Sequence, residues 1–182
     1  MRWMRGAVAL LALILMATLV GCSAEATKQS VVGFYLDTVV MLTAYVDDAS
    51  VLNDALQECG RYERLLSRTI EGSDVWRINH ANGEPVRVGR ECLEILDAAR
   101  QVSELSGGAF DATIAPVSTM WDFTSGAKAL PDAEALREAA ALVDYRQLTV
   151  DGDAVTLPAG MMIDLGGIAK GYIADADRKS VV

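Results

Sequence analysis

The sequence is short of the side chains on which several classes of site depend. Its single histidine, His80, excludes a metal centre with several imidazole ligands, and makes a Ser-His-Asp triad hard to assemble. Cations are also scarce, with 16 Lys and Arg against 25 Asp and Glu, a formal net charge of −9. A nucleic-acid surface needs clustered Lys and Arg, so we expect no nucleic-acid partner. An acidic chain of this kind binds a phosphorylated ligand only through backbone N–H groups, a few cations or a metal ion.

The common nucleotide-binding signatures are absent as well. No G-x-G-x-x-G follows an early strand, and the sequence contains no Walker A motif. Strand-like and helix-like segments mix without the regular alternation of a parallel sheet, which favours an α+β fold with a mixed sheet and packed helices. The length suits one domain, and a hydrophobic content of 52% is enough for a core.

The N-terminus predicts export. Two arginines precede an apolar run over residues 7–20, which is too short for a comfortable membrane span. The run ends in LVGC, which resembles a bacterial lipobox, so residues 1–22 are a predicted signal peptide with Cys22 as the lipidated residue. Residues 23–30 are then a tether, and the protein is expected on the extracytoplasmic side of the cell membrane. The alternatives are a signal peptide with an incidental cysteine or a short anchor.

Two further cysteines, Cys59 and Cys92, fall at apolar positions of predicted helices. An exported protein can form disulfides. Their positions nevertheless favour buried thiols.

Hydrophobic periodicity predicts the elements of the mature chain. Predicted strands cover residues 31–46 (one long strand or two), 85–88, 146–150, 155–157 and 161–164. Predicted helices cover residues 51–66, with Ser50 as a possible cap, and 90–105, 131–142 and 168–175. Residues 68–82 are polar and predicted as a loop, with His80 exposed to solvent.

Residues 161–172, MMIDLGGIAKGY, form the first stretch with chemical potential. A buried strand ends at Asp164, two glycines follow, and a helix begins close to Lys170. Glycines allow close backbone approach, and the first turn of a helix has unpaired N–H groups, so the stretch can cradle an anion. The alternative is an ordinary strand–turn–helix unit with a buried Asp cap.

Residues 108–111, GAFD, form the second stretch. An aromatic ring and a carboxylate on one loop can stack on a planar ring and accept hydrogen bonds from it. Together the two stretches suggest a nucleotide-like ligand with a base and a diphosphate. Core packing is the alternative role for Phe110 and for Trp121.

Both stretches resemble motifs of one family. GAFDATIAP at residues 108–116, followed by Trp121 and Phe123, is similar to the GAFD-x-T-x-x-P…W-x-F signature of the ApbE family, and DLGGIAKGY at residues 164–172 is similar to its second motif. These are FAD:protein FMN transferases, often periplasmic lipoproteins, with a fold related to the T-fold. The resemblance extends over residues 32–175.

The resemblance implies that FMN is transferred from FAD to a threonine hydroxyl of a target flavoprotein, with release of AMP and with Mg²⁺ holding the diphosphate. It implies that Gly167 offers its backbone carbonyl to the metal. The positions that match FAD contacts are Ala109, Phe110, Asp111, Asp164 and Lys170, with Leu36 and Thr69 as weaker matches.

Members of the family continue with a His-Ile-x-Asp-Pro segment and an Asp-x-x-x-Thr metal site, neither of which is present here. We therefore expect residues 31–177 to be the N-terminal part of a flavin-transferase domain, residues 178–182 to be a non-native tail, and the catalytic residues to lie beyond residue 182. Two other functions remain open: a membrane-anchored FAD-binding lipoprotein without transferase activity, and an exported interaction domain.

Overall fold

The computed structural model describes residues 26–121 and 130–180 and confirms the α+β class. The strands are β1 (Thr27–Tyr35), β2 (Thr38–Val46), β3 (Val86–Arg87), β4 (Thr149–Asp151) and β5 (Ala154–Thr156). The helices are α1 (Ser50–Leu66), α2 (Asp74–Asn79), α3 (Arg90–Leu105), α4 (Ala115–Ser118), α5 (Ala133–Ala140) and α6 (Ala169–Ser180), with a 3₁₀ turn at Tyr145–Gln147. A mixed sheet was predicted; among the described residues the strands form two antiparallel sheets, ordered β1-β2 and β3-β5-β4.

The predicted segment 31–46 is a hairpin of two strands. Tyr35 pairs with Thr38, and the two turn residues Leu36 and Asp37 both have positive φ, 55° and 54°. Such a turn matches the twist of the strands, although a leucine rarely adopts this conformation. The Leu36 N–H donates to Glu63 Oε1 of α1 at 2.8 Å, which holds the strained turn against the helix.

The hairpin packs on α1 through small residues. A Cβ built on Gly60 would lie 2.8 Å from the Tyr35 ring, and one on Gly33 would lie 3.1 Å from Leu56. The opposite face of the hairpin is exposed and apolar, with Phe34 and Met41 each 66% exposed. The hairpin therefore buries only one of its two hydrophobic faces.

The main core lies between α1, α2, α3 and the extended residues 161–165. Its fully buried side chains include Val75, Ile95, Val155, Ile163 and Leu165. Cys59 and Cys92 belong to the same core as buried thiols, as predicted.

The predicted loop 68–82 is wrong in its second half, which contains helix α2. Ser73 caps this helix by accepting a hydrogen bond from the Trp76 N–H at 2.9 Å, and Val75 and Ile78 are buried. A serine followed by an acid and by apolar residues three apart is a helix-start signal that the polar composition obscured. His80 is exposed as predicted, but it lies at the end of α2, where its ring stacks on Trp76 at 4.1 Å.

The predicted strand 161–164 is also wrong. The segment is extended, but its one ladder contact among the described residues is a parallel bridge between Met162 and Ile114. Its backbone is held instead by a side chain: the Asn79 amide accepts from the Ile163 N–H at 2.7 Å and donates to the Ile163 carbonyl at 2.9 Å. Apolar composition indicated burial correctly, but burial does not specify which group satisfies the backbone.

Other boundaries differ by a few residues. Residues 27–30 of the predicted tether belong to β1. The alternation of exposed and half-buried side chains along this strand continues into them. Ser50 is the first residue of α1 and not its cap, since its hydroxyl donates to Asp48. Asp132 caps α5 by accepting from two N–H groups. Helix α6 runs to Ser180, past residue 177, where the predicted domain ended.

Cys22 and Phe123 lie outside the described residues. In the two ranges that the structure describes, no helix has the length and apolarity needed to cross a membrane.

Candidate functional site

The GAFD loop is shaped by the end of α3. Gly107 and Gly108 have φ of 62° and 85°, and the Gly108 N–H donates to the Ser103 carbonyl at 2.8 Å, which closes the helix in the usual glycine-dependent way. The Phe110 N–H then donates to Ser106 Oγ at 3.0 Å. These contacts leave Ala109 exposed and Phe110 half-buried at the head of the loop.

Asp111 connects this loop to a distant segment. Its Oδ1 accepts from the N–H and the hydroxyl of Thr113 at 2.8 and 2.6 Å, and its Oδ2 accepts from the Tyr145 N–H at 2.8 Å. The Thr113 hydroxyl also accepts from the Asp144 N–H at 2.9 Å. The carboxylate therefore fixes the loop, and any ligand contact would use the acceptor capacity that these three bonds leave.

The Asp-Leu-Gly-Gly segment forms a turn beside this loop. The Asp164 N–H donates to the Ala112 carbonyl at 2.8 Å, and Asp164 Oδ1 accepts from the Gly166 N–H at 2.8 Å. Asp164 Oδ2 forms an ion pair with Arg68 Nε at 3.1 Å. The aspartate thus organises its own turn and links it to the loop that follows α1.

The two motifs meet at Phe110 and Gly167. A Cβ built on Gly167 would lie 3.1 Å from Cε2 of the Phe110 ring, so a glycine leaves the ring in close contact with the turn. This contact joins stretches that are more than fifty residues apart in the chain. We call Arg68, Phe110, Asp111, Asp164 and Gly167 the two-motif cluster.

Leu36 and Lys170 lie elsewhere, on a cavity of about 630 Å³ between β2, α1 and α6. Its wall is largely apolar, with charged groups from Glu58, Arg61 and Lys170. The Lys170 side chain is exposed, and within residues 26–121 and 130–176 its ammonium has no hydrogen bond or ion pair. The volume lies in the range of ordinary small-molecule pockets.

Tyr172 lies in the turn of α6 that follows Lys170. Its hydroxyl donates to Glu94, and its ring meets Tyr62 edge-on at 6.0 Å between centroids. Burial, and then the hydrogen bond to the Glu94 carboxylate, raise the pKa of Tyr172 well above its usual value. The phenol therefore stays protonated and connects the start of α6 to α3.

Sequence reasoning missed Arg68. Thr69, its predicted neighbour in the site, is exposed and engages its hydroxyl with Ser67 Oγ at 3.0 Å, whereas Arg68 reaches Asp164. The sequence signal that could have indicated Arg68 is a cationic residue directly after the end of helix α1. Its significance depends on a partner 96 residues further along the sequence, which spacing alone does not reveal.

The described residues do not by themselves form a metal centre. In residues 26–121 and 130–180, no group of three or more His, Cys, Asp or Glu side chains is arranged to hold an ion. Asp164, the carboxylate nearest to Gly167 in sequence, is already paired with Arg68. The described residues therefore supply no set of carboxylates that could bind magnesium together with the Gly167 carbonyl.

Comparison with solved structures identifies the class of fold. An ApbE protein from Thermotoga maritima matches with a TM-score of 0.76 at 31% identity, over 84% of this chain and 52% of that one. The flavinyl transferase ApbE of Pseudomonas stutzeri, in its apo form, matches with a TM-score of 0.74 at 24% identity, over 86% of this chain and 55% of that one, a likeness of fold alone. The chain has the α+β architecture of ApbE proteins.

Comparison of sequences gives the family. The ApbE family profile matches residues 36–180. An FAD:protein FMN transferase of Klebsiella pneumoniae is 34% identical over 143 residues, 76% of this chain and 45% of that protein. One of Treponema pallidum is 36% identical over 122 residues, 62% of this chain and 34% of that protein. The chain belongs to the ApbE family, and it spans less than half the length of these two relatives.

Proposed function

We propose that this chain binds FAD and belongs to an enzyme that transfers FMN to a threonine hydroxyl of a target flavoprotein, with release of AMP. The observation that carries the proposal is the contact between Phe110 and Gly167. It brings together the two motifs by which the chain resembles flavin transferases. Family membership and the similarity to two FAD:protein FMN transferases support the same reaction.

In this proposal the two-motif cluster and the cavity lined by Leu36 and Lys170 hold different parts of one FAD molecule. Phe110 offers a half-buried ring to a planar group, while the Leu36–Lys170 cavity has the size and apolar wall for another. Lys170 supplies a cation to that cavity. The remaining proposed contacts are Ala109, Asp111, Asp164 and Thr69.

The chemistry would be a phosphoryl transfer. The hydroxyl oxygen of the acceptor threonine forms a bond to the FMN phosphorus and gives up its proton to water. The bond from that phosphorus to the bridging oxygen of the diphosphate breaks, and that oxygen leaves with AMP. Catalysis of such a step depends mostly on positioning and on stabilisation of charge. The described residues contribute binding and orientation, and we assign none of them a catalytic role. Mg²⁺ dependence, with the Gly167 carbonyl as one ligand, is part of the proposal, but no step is assigned to the metal.

We further propose that the protein is a lipoprotein anchored through Cys22 on the extracytoplasmic side of the membrane. The support is the sequence of residues 1–22. The test is incorporation of a fatty-acid analogue in a bacterial host, with Cys22→Ser as the variant. Equal labelling of both proteins would refute the anchor.

FAD binding is tested by flavin fluorescence on the full chain. Lys170→Ala and Asp164→Ala should each weaken binding, and Lys28→Ala, which removes an exposed lysine of the hairpin, should leave it unchanged. Equal effects of Lys170→Ala and Lys28→Ala would contradict the placement of FAD at Lys170.

Transfer is tested on a longer version that also carries the His-Ile-x-Asp-Pro and Asp-x-x-x-Thr segments of the family, with an acceptor flavoprotein, by covalent flavin fluorescence after gel separation, with Mg²⁺ or with a chelator. Labelling that requires Mg²⁺ supports the transferase. FAD binding without labelling would support the alternative, a membrane-anchored FAD-binding lipoprotein. Failure to bind FAD would overturn both.

A further inference from the structure

Arg68 is held in place by a compact turn that follows α1. The Ser67 N–H donates to the Glu63 carbonyl at 2.9 Å, and Ser67 Oγ accepts from the N–H groups of Thr69 and Ile70 at 3.1 and 3.3 Å. The Ser73 hydroxyl donates to the Ser67 carbonyl from the other side. The backbone on both sides of Arg68 is therefore fixed before any ligand binds.

Among the residues that the structure describes, the Arg68 guanidinium is engaged through one nitrogen. Nε pairs with Asp164 Oδ2 at 3.1 Å, whereas Nη1 and Nη2 have no hydrogen bond or ion pair within the described ranges. The two side chains are 37% and 27% exposed, so the pair is neither fully solvated nor enclosed. The two terminal nitrogens thus remain available as donors beside the Asp164 turn.

The negative charge of the two-motif cluster favours Arg68 as the cation that compensates a bound phosphate. The cluster contains two carboxylates, Asp111 and Asp164, and a diphosphate brought near them needs a compensating cation. The Lys170 ammonium lines the Leu36–Lys170 cavity. Within the cluster, the cation is Arg68.

We propose that Arg68 is a specificity-determining residue that binds a phosphate oxygen of the flavin nucleotide through its terminal nitrogens while Nε keeps Asp164 in its turn. The inference rests on the proposed function, since it takes a flavin nucleotide as the ligand. Arginine suits both tasks because its planar guanidinium presents donors in several fixed directions, whereas a lysine ammonium is a single point charge. Arg68 would therefore distinguish phosphorylated flavins from riboflavin.

The experiment compares FAD with riboflavin on the full chain. Arg68→Gln should lower FAD affinity about ten- to a hundredfold, the range expected for a charged hydrogen bond, and should leave riboflavin affinity within about twofold. Arg68→Lys should restore part of the FAD affinity. The matched control is Arg100→Gln, which breaks an exposed ion pair with Asp97 on α3 and should change neither affinity.

A second variant separates ligand binding from support of the turn. Asp164→Asn removes the charge that Arg68 pairs with but leaves the guanidinium, so the preference for FAD over riboflavin should persist. Equal losses of FAD and riboflavin affinity in Arg68→Gln or Arg68→Lys would overturn the inference, because they would mean that Arg68 acts only through the fold. Unchanged FAD affinity in Arg68→Gln would overturn it as well. Failure of the unmodified chain to bind FAD would instead refute the proposed function, and the inference with it.

Discussion

The hydrogen bonds of Asp111 make a strong prediction about stability. Asp111 accepts three hydrogen bonds, two at Oδ1 from Thr113 and one at Oδ2 from the Tyr145 N–H. In Asp111→Asn the amide has a single acceptor oxygen. If that oxygen keeps the Thr113 bonds, the new NH₂ group faces the Tyr145 N–H, and two donors oppose each other.

The expected loss follows from that geometry. A hydrogen bond to a charged group contributes about 1.5–3 kcal/mol, and the two bonds that survive become neutral and weaker, so we expect a loss of about 2–4 kcal/mol. For a chain of this size that corresponds to a melting temperature lower by about 5–15 °C. The measurement is thermal or urea unfolding followed by circular dichroism.

The control is the same substitution at a helix cap. Asp132 also accepts two backbone N–H groups, from Glu134 and Ala135, but asparagine is an equally good cap. Asp132→Asn should therefore change stability by no more than a few tenths of a kcal/mol. Similar small shifts in the two variants would refute the argument that Asp111 ties its loop to the Tyr145 segment.

Three other predictions concern contacts, pH and surface. Gly167→Ala should displace the Phe110 ring and weaken FAD binding about tenfold, equivalent to about 1.4 kcal/mol. Gly171→Ala, whose Cβ enters open space, should not weaken it. Titration of both variants with FAD, followed by flavin fluorescence, is the measurement. Burial raises the pKa of the Cys92 thiol to about 12, so the folded state favours the neutral thiol. The free energy of unfolding should then fall as pH rises from about 9 towards 12, by at most about 1.4 kcal/mol per pH unit. The fall should be less steep in Cys92→Ala, and an equal dependence on pH in both proteins would contradict the role of Cys92. Phe34→Thr on the exposed hairpin face should reduce self-association in light scattering and change stability by about 0.5 kcal/mol or less; a loss typical of a core substitution would mean that the face is covered.

The exposed face of the hairpin is the physical reason for expecting self-association. The predicted strand at residues 161–164 does not supply such a surface, because its backbone is bonded to Asn79 and Ala112. The unpaired apolar surface lies instead on β1 and β2, with Phe34 and Met41 prominent on it. An exposed two-stranded sheet with such a face is the part of the described chain most liable to associate.

Local information was enough to predict most elements. The helix periods over residues 51–66 and 90–105 and the burial of Cys92 depend on contacts within a few residues or on a simple apolar stripe. Residues 74–79 were missed because polar neighbours concealed a short helix, and residues 161–164 because an apolar run does not reveal its hydrogen-bond partner.

The candidate site depended on tertiary contacts. The motif residues were visible in the sequence, but whether a carboxylate faces a ligand or the protein itself depends on partners from distant elements. Asp111 is bound by the Tyr145 N–H, Asp164 by Arg68, and the Phe110 ring by Gly167. Packing also placed Lys170 with Leu36, on a cavity formed by three elements that only the fold brings together. The sequence determined which chemical groups this protein carries, and the tertiary structure decided which of them are already paired and which remain available to a ligand, because pairing depends on distances across the fold.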